Sequence, residues 1–306
     1  EDDSFFAIIY TLDTEDMERW DDERVWIKAN PNLGVSVKLD DLRDQCRKAK
    51  EMPSAKVEFL TKRLNIWTYA ESLWMGMDKW HQCRADFDSL APWTPGTRSD
   101  LDGAECHGGL DLASVEDMCA FRLVFPGSDG ARRTIGRAYL PQAALERRLC
   151  KGDKTLEQFR DSGHLVVLPG ETIDYEWIKA DILAACERFD VRGIAFDRWN
   201  SSQLVNDLMA EGVPMVKFGQ GFGSMSAPMK ELMRLVLTGK PEHNDPLRTW
   251  AVSNVVADTN PAGDIKPDKS KVSEKIDPAV ALIMAIALAM GSDEGDLRDF
   301  LMDPII

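Results

Sequence analysis

Three aspartates, Asp111, Asp197 and Asp277, stand where a folded chain could bring carboxylates together. Asp111 lies between two leucines in a strand-like segment, so its side chain points to the face opposite theirs. Asp197 ends the apolar segment 193–196, and sites in parallel sheets gather beyond such carboxyl ends. Asp277 precedes Pro278, which suits the start of a helix. Mg²⁺ and Mn²⁺ prefer oxygen ligands, and two-metal phosphodiester hydrolysis needs carboxylates around cations about 3.5–4 Å apart.

Each of these aspartates also has a purely structural explanation. Asp277 can serve only as a helix cap, Asp197 can cap the helix that follows it, and Asp111 can be a solvated residue of an edge strand. Placement by itself therefore leaves a metal site and three structural roles open.

The composition is typical of an ordinary globular protein. The 306 residues are 44% hydrophobic and 29% charged, enough for one large domain or two modest ones. No apolar run reaches the roughly 18 residues that a membrane span needs, and residues 279–290 are interpreted as a core helix. The chain lacks a secretory signal at its start, and its six cysteines lack zinc-site spacing. We expect reduced thiols in a protein that is not secreted.

The net charge of −15 argues against binding nucleic acid by bulk electrostatics alone. It does not exclude a nuclease, because a metal held by carboxylates restores attraction for phosphate. The charge therefore decides little about function.

The order of the predicted elements favours a mixed α/β fold. Strands are predicted at residues 107–113, 118–125 and 132–140, and their short connections indicate an antiparallel meander. Strands at 193–197 and 213–218, each preceded by a helix, indicate parallel crossovers. A mixed sheet of this kind, flanked by helices, is the layout of an RNase H-like core, although the pattern does not single that fold out.

The first hundred residues differ from the rest. Helices are predicted at 39–51 and 55–64, split by Pro53, followed by a Trp-punctuated segment that becomes rich in Pro and Gly. Near the other end, residues 250–257 and 263–266 predict a β-hairpin just before the Asp277 helix.

Several segments, in this order, resemble the large terminase subunit of tailed bacteriophages, particularly the group typified by phage HK97. They are WIKANPNLG (26–34), GLDLAS (109–114), GIAFDRW (193–199), FGQG (218–221), MSAP (225–228), HNDP (243–246) and KIDPAVA (275–281).

The resemblance implies an RNase H-like endonuclease that cuts concatemeric double-stranded viral DNA. Its metal-binding and catalytic acids would be Asp111, Asp197 and Asp277, with Asp111 bridging two Mg²⁺ or Mn²⁺ ions, and Asp117 matches a further acidic position of some members. Implied partners are DNA, the portal protein and the small terminase subunit, without a membrane, in the host cytoplasm at the procapsid portal.

The resemblance also implies two domains. Residues 1–100 would be the C-terminal remnant of a P-loop ATPase domain plus a linker, and residues 101–306 the nuclease domain. One departure matters: the sequence contains no Walker A motif, GxxxxGK[ST]. We therefore expect no ATPase activity from this chain alone, and the first residue, Glu1, indicates a fragment of a longer protein.

Three further residues are candidate contacts for DNA or for the ligands of the metal. They are Arg198, directly after Asp197; His243, which matches a family position; and Lys271, near Asp277 in the chain. His243 has the alternative of an ordinary loop histidine bonded to backbone. Two other functions also stay open: another RNase H-like nuclease of the resolvase or transposase kind, and a non-catalytic module of a packaging motor that binds DNA or portal.

Overall fold

The computed structural model describes residues 8–51, 53–66, 74–112, 117–197, 202–269 and 274–293. The chain forms two compact units, Glu1–Trp74 and Met75–Ile306. The division thus falls earlier than the predicted boundary at residue 100. Residues 75–100 belong to the second unit because their side chains pack there: the Trp80 ring stacks on His243 with centroids 4.3 Å apart, and the Ser89 hydroxyl donates to the carbonyl of Asn244 over 2.7 Å.

The first unit is helical in its described part. A 3-10 helix at Thr14–Arg19 precedes α1 (Trp26–Ala29), α2 (Leu39–Glu51) and α3 (Pro53–Leu64). This confirms the two predicted helices, and Pro53 begins the second of them, at a position where its missing N–H costs nothing. The buried side chains of this small core are those of Leu12, Val25, Trp26, Ala29, Leu42, Cys46, Ala49, Phe59 and Leu64.

The second unit holds nine strands and eight α-helices among the described residues. The strands are β1 (Glu105–Asp111), β2 (Cys119–Pro126), β3 (Arg132–Pro141), β4 (Leu165–Leu168), β5 (Asp190–Asp197), β6 (Met215–Phe218), β7 (Pro241–Glu242), β8 (Ala257–Thr259) and β9 (Ile265–Pro267). The helices are α4 (Met77–Gln82), α5 (Gln142–Cys150), α6 (Thr155–Asp161), α7 (Tyr175–Arg188), α8 (Ser202–Ala210), α9 (Phe222–Leu237), α10 (Pro246–Ser253) and α11 (Asp277–Asp293).

Seven strands form one mixed sheet in the order β4-β3-β2-β1-β5-β6, with β7 beside β3. Strands β1, β2 and β3 pair antiparallel, whereas β5 runs parallel to β1 and β6 parallel to β5. The predicted meander followed by parallel strands is therefore confirmed. Because β1, β5 and β6 are parallel, their carboxyl ends meet at one edge of the sheet.

The two faces of the sheet are covered differently. On one face, Leu110 and Phe196 pack in a core with Ile182 of α7 and Leu208 of α8. The other face of β1 and β2 carries α11, whose residues are buried from Ala279 to Ala289. This confirms residues 279–290 as a core helix, and in the described part of the chain no helix is both long and apolar enough for a membrane span.

Gly109 permits the close approach of α11 to the sheet. A Cβ atom at this position would lie 2.0 Å from the carbonyl oxygen of Ala281 and 2.8 Å from the backbone nitrogen of Ala285. No side chain fits there, so glycine lets the helix rest directly on β1. Asp111 lies two residues beyond Gly109 on the same face, and Asp277 one turn before Ala281. The packing at Gly109 thus sets the two aspartates facing each other.

The segment before α11 corrects one prediction. A hairpin exists, but it joins β8 to β9, and residues 250–253 belong to α10. The side chain of Asp245 accepts a hydrogen bond from the backbone N–H of Arg248 over 3.0 Å, and Pro246 is the first helical residue. The Asp-Pro pair is therefore a helix-start signal that outweighs the β-propensity of the residues after it.

Candidate metal centre

Asp111 and Asp277 converge at the carboxyl end of β1. Asp111 is the last residue of this strand and Asp277 the first of α11, and they are 2% and 6% exposed. The ammonium of Lys269 lies 3.1 Å from Oδ2 of Asp111 and 3.8 Å from Oδ1 of Asp277. The two carboxylates therefore meet around a single cation.

Asp277 is buried beside a second acid, and this environment shifts its pKa. Burial and the neighbouring charge of Asp111 raise the pKa of Asp277 to about 7, against the opposite effect of Lys269. Burial alone would lower the pKa of Lys269, but the charges of Asp111 and Asp277 outweigh it and raise that pKa. Two ionised carboxylates in this position need a cation between them.

Gln220 fixes the orientation of the first carboxylate. Its side-chain amide donates a hydrogen bond to Oδ1 of Asp111 over 2.8 Å. Sequence reasoning did not assign Gln220 or Lys269 to the site. Gln220 follows the carboxyl end of β6 by two residues, the same sheet edge as Asp111, and that topology was the available signal.

Asp197 ends the neighbouring strand. In the parallel pairing of β1 with β5, Leu110 faces Phe196, so Asp111 and Asp197 occupy the next position on adjacent strands, whose backbones lie about 4.8 Å apart. Asp197 is partly exposed. Within the described ranges, no three His, Cys, Asp or Glu side chains form a group that could hold one ion. The structure thus brings two of the three predicted acids together, with the third at the adjacent strand end.

Asp117 contributes to the electrostatics of the pair. Its carboxylate forms an ion pair with Lys275, and its charge contributes to raising the pKa of Asp277. Arg198 and Lys271, the two cationic candidates, lie outside the described residues.

His243 is not brought to this site. It follows β7, which pairs with the first residues of β3, whereas Asp111 aligns through Ala120 with Ala138 near the other end of β3. Its Nε2 bonds to the carbonyl of Trp80 over 2.9 Å. Burial lowers the pKa of His243 to about 4, and Arg248 adds to the shift. This corrects the predicted role: the histidine is a neutral core residue bonded to backbone, and it does not orient water at the carboxylates.

The arrangement at β1 fits a divalent cation that prefers oxygen ligands. Its candidate ligands, Asp111 and Asp277, are buried carboxylates, which are the ligands that Mg²⁺ and Mn²⁺ prefer. The cation that ion-pairs with both carboxylates, Lys269, has a side chain that is 49% exposed and can yield its place. Such a site supports hydrolysis or transfer of a phosphate ester.

Comparisons with known proteins agree with this chemistry. The family model described as "Terminase large subunit, endonuclease domain" matches residues 1–293. The chain is 35% identical to protein YmfN of Escherichia coli strain K12, over 96% of this chain and 65% of that protein. It is 31% identical to the terminase large subunit of Enterobacteria phage HK97, over 92% of this chain and 54% of the phage protein.

A solved structure gives the same likeness. The crystal structure of the HK97 bacteriophage large terminase superposes with a TM-score of 0.61 and 28% identity, covering 91% of this chain and 56% of that one. The mixed sheet is therefore of the RNase H-like type found in terminase nuclease domains. The chain spans 54% to 65% of the length of these curated relatives.

Proposed function

This chain belongs to the terminase large-subunit endonuclease family, and we propose that it is a metal-dependent endonuclease that cuts concatemeric double-stranded viral DNA. The observation that carries the proposal is the convergence of Asp111 and Asp277 on one cation position at the end of β1. Two buried carboxylates are costly to the fold, which supports a binding role for them.

We assign the ions to the carboxylates as follows. Asp111 would help to hold both of two Mg²⁺ or Mn²⁺ ions, and Asp277 and Asp197 would each help to hold one of them. When bound, such ions lower the pKa of a water molecule and stabilise the charge on the leaving oxygen. The position of Asp197 on the strand next to Asp111 supports the second ion of this proposal.

The rest of the chain holds these groups in place. Gln220 keeps one oxygen of Asp111 fixed by its hydrogen bond, so the other oxygen is the one open to a cation. Gly109 allows α11 to present Asp277 at the required depth. Since Gly109 lies in β1 and Gln220 in the short loop between β6 and α9, both supports are set by the fold, and the carboxylates are preorganised before DNA arrives.

The biological setting is part of the proposal. The partners are duplex DNA, the portal protein and the small terminase subunit, and the place is the procapsid portal in the host cytoplasm. We propose that residues 1–74 are the end of the motor domain and that this chain alone does not hydrolyse ATP, since its sequence has no Walker A motif.

A plasmid-nicking assay tests the function. Supercoiled DNA is incubated with the protein and Mn²⁺, with EDTA as the blank. Wild-type protein should nick it, and Asp111→Asn and Asp277→Asn should lose at least about 1,000-fold of the rate, because each removes a charged metal ligand. Asp190→Asn, at the opposite end of β5 and exposed, is the matched control and should cut normally.

Two outcomes would contradict the proposal. Cleavage that survives in Asp111→Asn would place the chemistry elsewhere. A gel shift of DNA with no cleavage by any variant would instead favour a non-catalytic module that binds DNA or portal.

A further inference from the structure

We infer that Lys269 is a built-in competitor for the metal. Its ammonium holds the cation position between Asp111 and Asp277 in the metal-free protein, and a divalent ion binds only by displacing it. The inference rests on the proposed function, since it assumes that these carboxylates are the metal ligands.

Both oxygens of Asp111 are engaged. Oδ1 accepts from Gln220 over 2.8 Å, and Oδ2 accepts from Lys269 over 3.1 Å. A metal that ligates Oδ2 must therefore take the place of the ammonium. Without either cation, Asp111 and Asp277 could both be ionised only as two buried like charges, so a cation at this position is favoured whenever both are ionised.

The side chain of Lys269 can move away from the two carboxylates while its backbone stays in place. It comes two residues after β9, and the backbone N–H of the preceding Asp268 donates to the carbonyl of Val256 over 2.8 Å. At the start of β9, the backbone N–H of Ile265 donates to the hydroxyl of Ser226 in α9 over 3.2 Å. The hairpin is thus fastened, whereas the lysine side chain is half exposed.

A cavity of about 220 Å³ beside Lys269 is large enough to accept the displaced ammonium. Lys269 lines it together with Gln220, Met225 and Lys266. A lysine has a flexible stem of four methylene groups, so it can turn from the carboxylates into this space without moving the strand.

Competition of this kind is reciprocal. The free energy by which metal binding disfavours the ammonium equals that by which the ammonium disfavours metal. Removing the amine must therefore tighten metal binding, whereas a lysine that merely orients the carboxylates for metal would weaken it when removed.

Isothermal titration calorimetry with MnCl₂, in the absence of DNA, measures this directly. Lys269→Met should lower the Kd for Mn²⁺ by about tenfold, within the range typical of coupled binding equilibria. Lys269→Arg keeps the charge and should bind Mn²⁺ no more tightly than the wild type. Lys179→Met is the matched control, because this lysine lies on α7, which covers the other face of the sheet, 3.9 Å from a carboxylate oxygen of Glu211, and the Kd of this variant for Mn²⁺ should not change.

Thermal unfolding supplies a second readout. In EDTA, Lys269→Met should melt at a lower temperature than the wild type, since its two carboxylates lack a counter-charge, and saturating Mn²⁺ should close the gap. An unchanged or raised Kd for Lys269→Met overturns the inference. If Asp111→Asn abolishes Mn²⁺ binding while Lys269→Met binds like the wild type, only this inference fails. If Mn²⁺ binding and cleavage are both indifferent to Asp111→Asn, the proposed function fails with it.

Discussion

Two buried clusters of charged side chains lie on the same face of the sheet, and their net charges have opposite signs. At the end of β1, Asp111 and Asp277 share one lysine, which leaves an excess of negative charge. In the middle of β2, Arg122 forms an ion pair with Asp245, to which the backbone N–H of Arg248 also donates. The second cluster therefore has an excess of positive charge.

The clusters differ in access to solvent. The side chains of Arg122, Asp245 and Arg248 are fully buried, and no cation of that group can be exchanged. The charges of both arginines lower the pKa of Asp245 although burial acts in the opposite direction. At the carboxylate pair the counter-cation is half exposed and sits at the edge of the sheet. An excess of buried charge is therefore not enough to indicate a binding site. A counter-charge that can be exchanged, such as the ammonium of Lys269, does indicate one.

The arginine cluster gives the largest expected effect on stability. Asp245→Asn leaves two guanidinium groups buried without their carboxylate and removes the charged cap of α10. We expect a loss of about 3–5 kcal/mol in the free energy of unfolding, measured by urea denaturation. Asp100→Asn, which removes an exposed partner of Arg133, should cost at most about 1 kcal/mol. A loss of similar size in both variants would break the comparison, as would a loss of nicking by Asp245→Asn well below its melting temperature.

Gly109 tests the link between the clusters, because it pairs with Arg122 across the strands and lies under α11. Gly109→Ala puts a methyl group 2.0 Å from the Ala281 oxygen, and we expect it to cost about 3 kcal/mol and to separate Asp277 from Asp111. Gly193→Ala, also under α11, meets the ends of two side chains, Leu288 at 3.3 Å and Val216 at 3.4 Å, and should cost less and keep nicking. Equal stability and activity in the two variants would show that α11 is not held as described.

The pH dependence of the unfolding free energy tests the environment of His243 beside the positively charged cluster. The folded protein holds its pKa at about 4, below the value of about 6.5 of an unfolded chain, so the unfolded state binds more protons between these pH values. Stability from this residue is present above pH 6.5 and is lost as the pH falls toward 4, by up to about 3 kcal/mol. His243→Gln should flatten this part of the dependence of the unfolding free energy on pH, and His81→Gln, an exposed histidine, should not. Identical slopes in the two variants would contradict the burial of His243 as a neutral side chain.

Gln220 gives the smallest expected effect, at the carboxylate pair alone. Gln220→Leu removes the hydrogen bond to Asp111, and the Kd for Mn²⁺ should rise by about tenfold, the low end of what supporting residues contribute. The melting temperature should change little. Gln203→Leu, on the exposed side of α8, should leave the Kd alone. A larger loss than that of Asp277→Asn would mean that Gln220 is itself a ligand.

The sequence predicted most of the sheet but less of the site. Alternating and apolar residue patterns predicted β1, β2, β3, β5 and β6, because burial on a sheet face is a local pattern. The position of Asp111 opposite two leucines was likewise local. Lys269 and Gln220 reach Asp111 from 158 and 109 residues away, and such pairings depend on packing that no local pattern records.

The errors have the same origin. His243 was predicted at the site by resemblance, but its neighbours in space are Trp80 and Arg248. The compact units divide at residue 74 because residues 75–100 pack on the second unit, and such packing is not a local pattern either. The helix α10 was not predicted, although Asp245-Pro246 is a helix-start signal, because the residues after Pro246 are good strand formers.

The most direct test of the carboxylate pair is a crystal of this chain soaked in MnCl₂ and measured for anomalous scattering. We expect a peak at about 2.0–2.2 Å from carboxylate oxygens of both Asp111 and Asp277, with the Lys269 ammonium turned away from Asp111. A second peak beside Asp197 would establish the second ion. Absence of any peak at Asp111, or an ammonium of Lys269 unmoved between the two carboxylates at saturating Mn²⁺, would contradict the account.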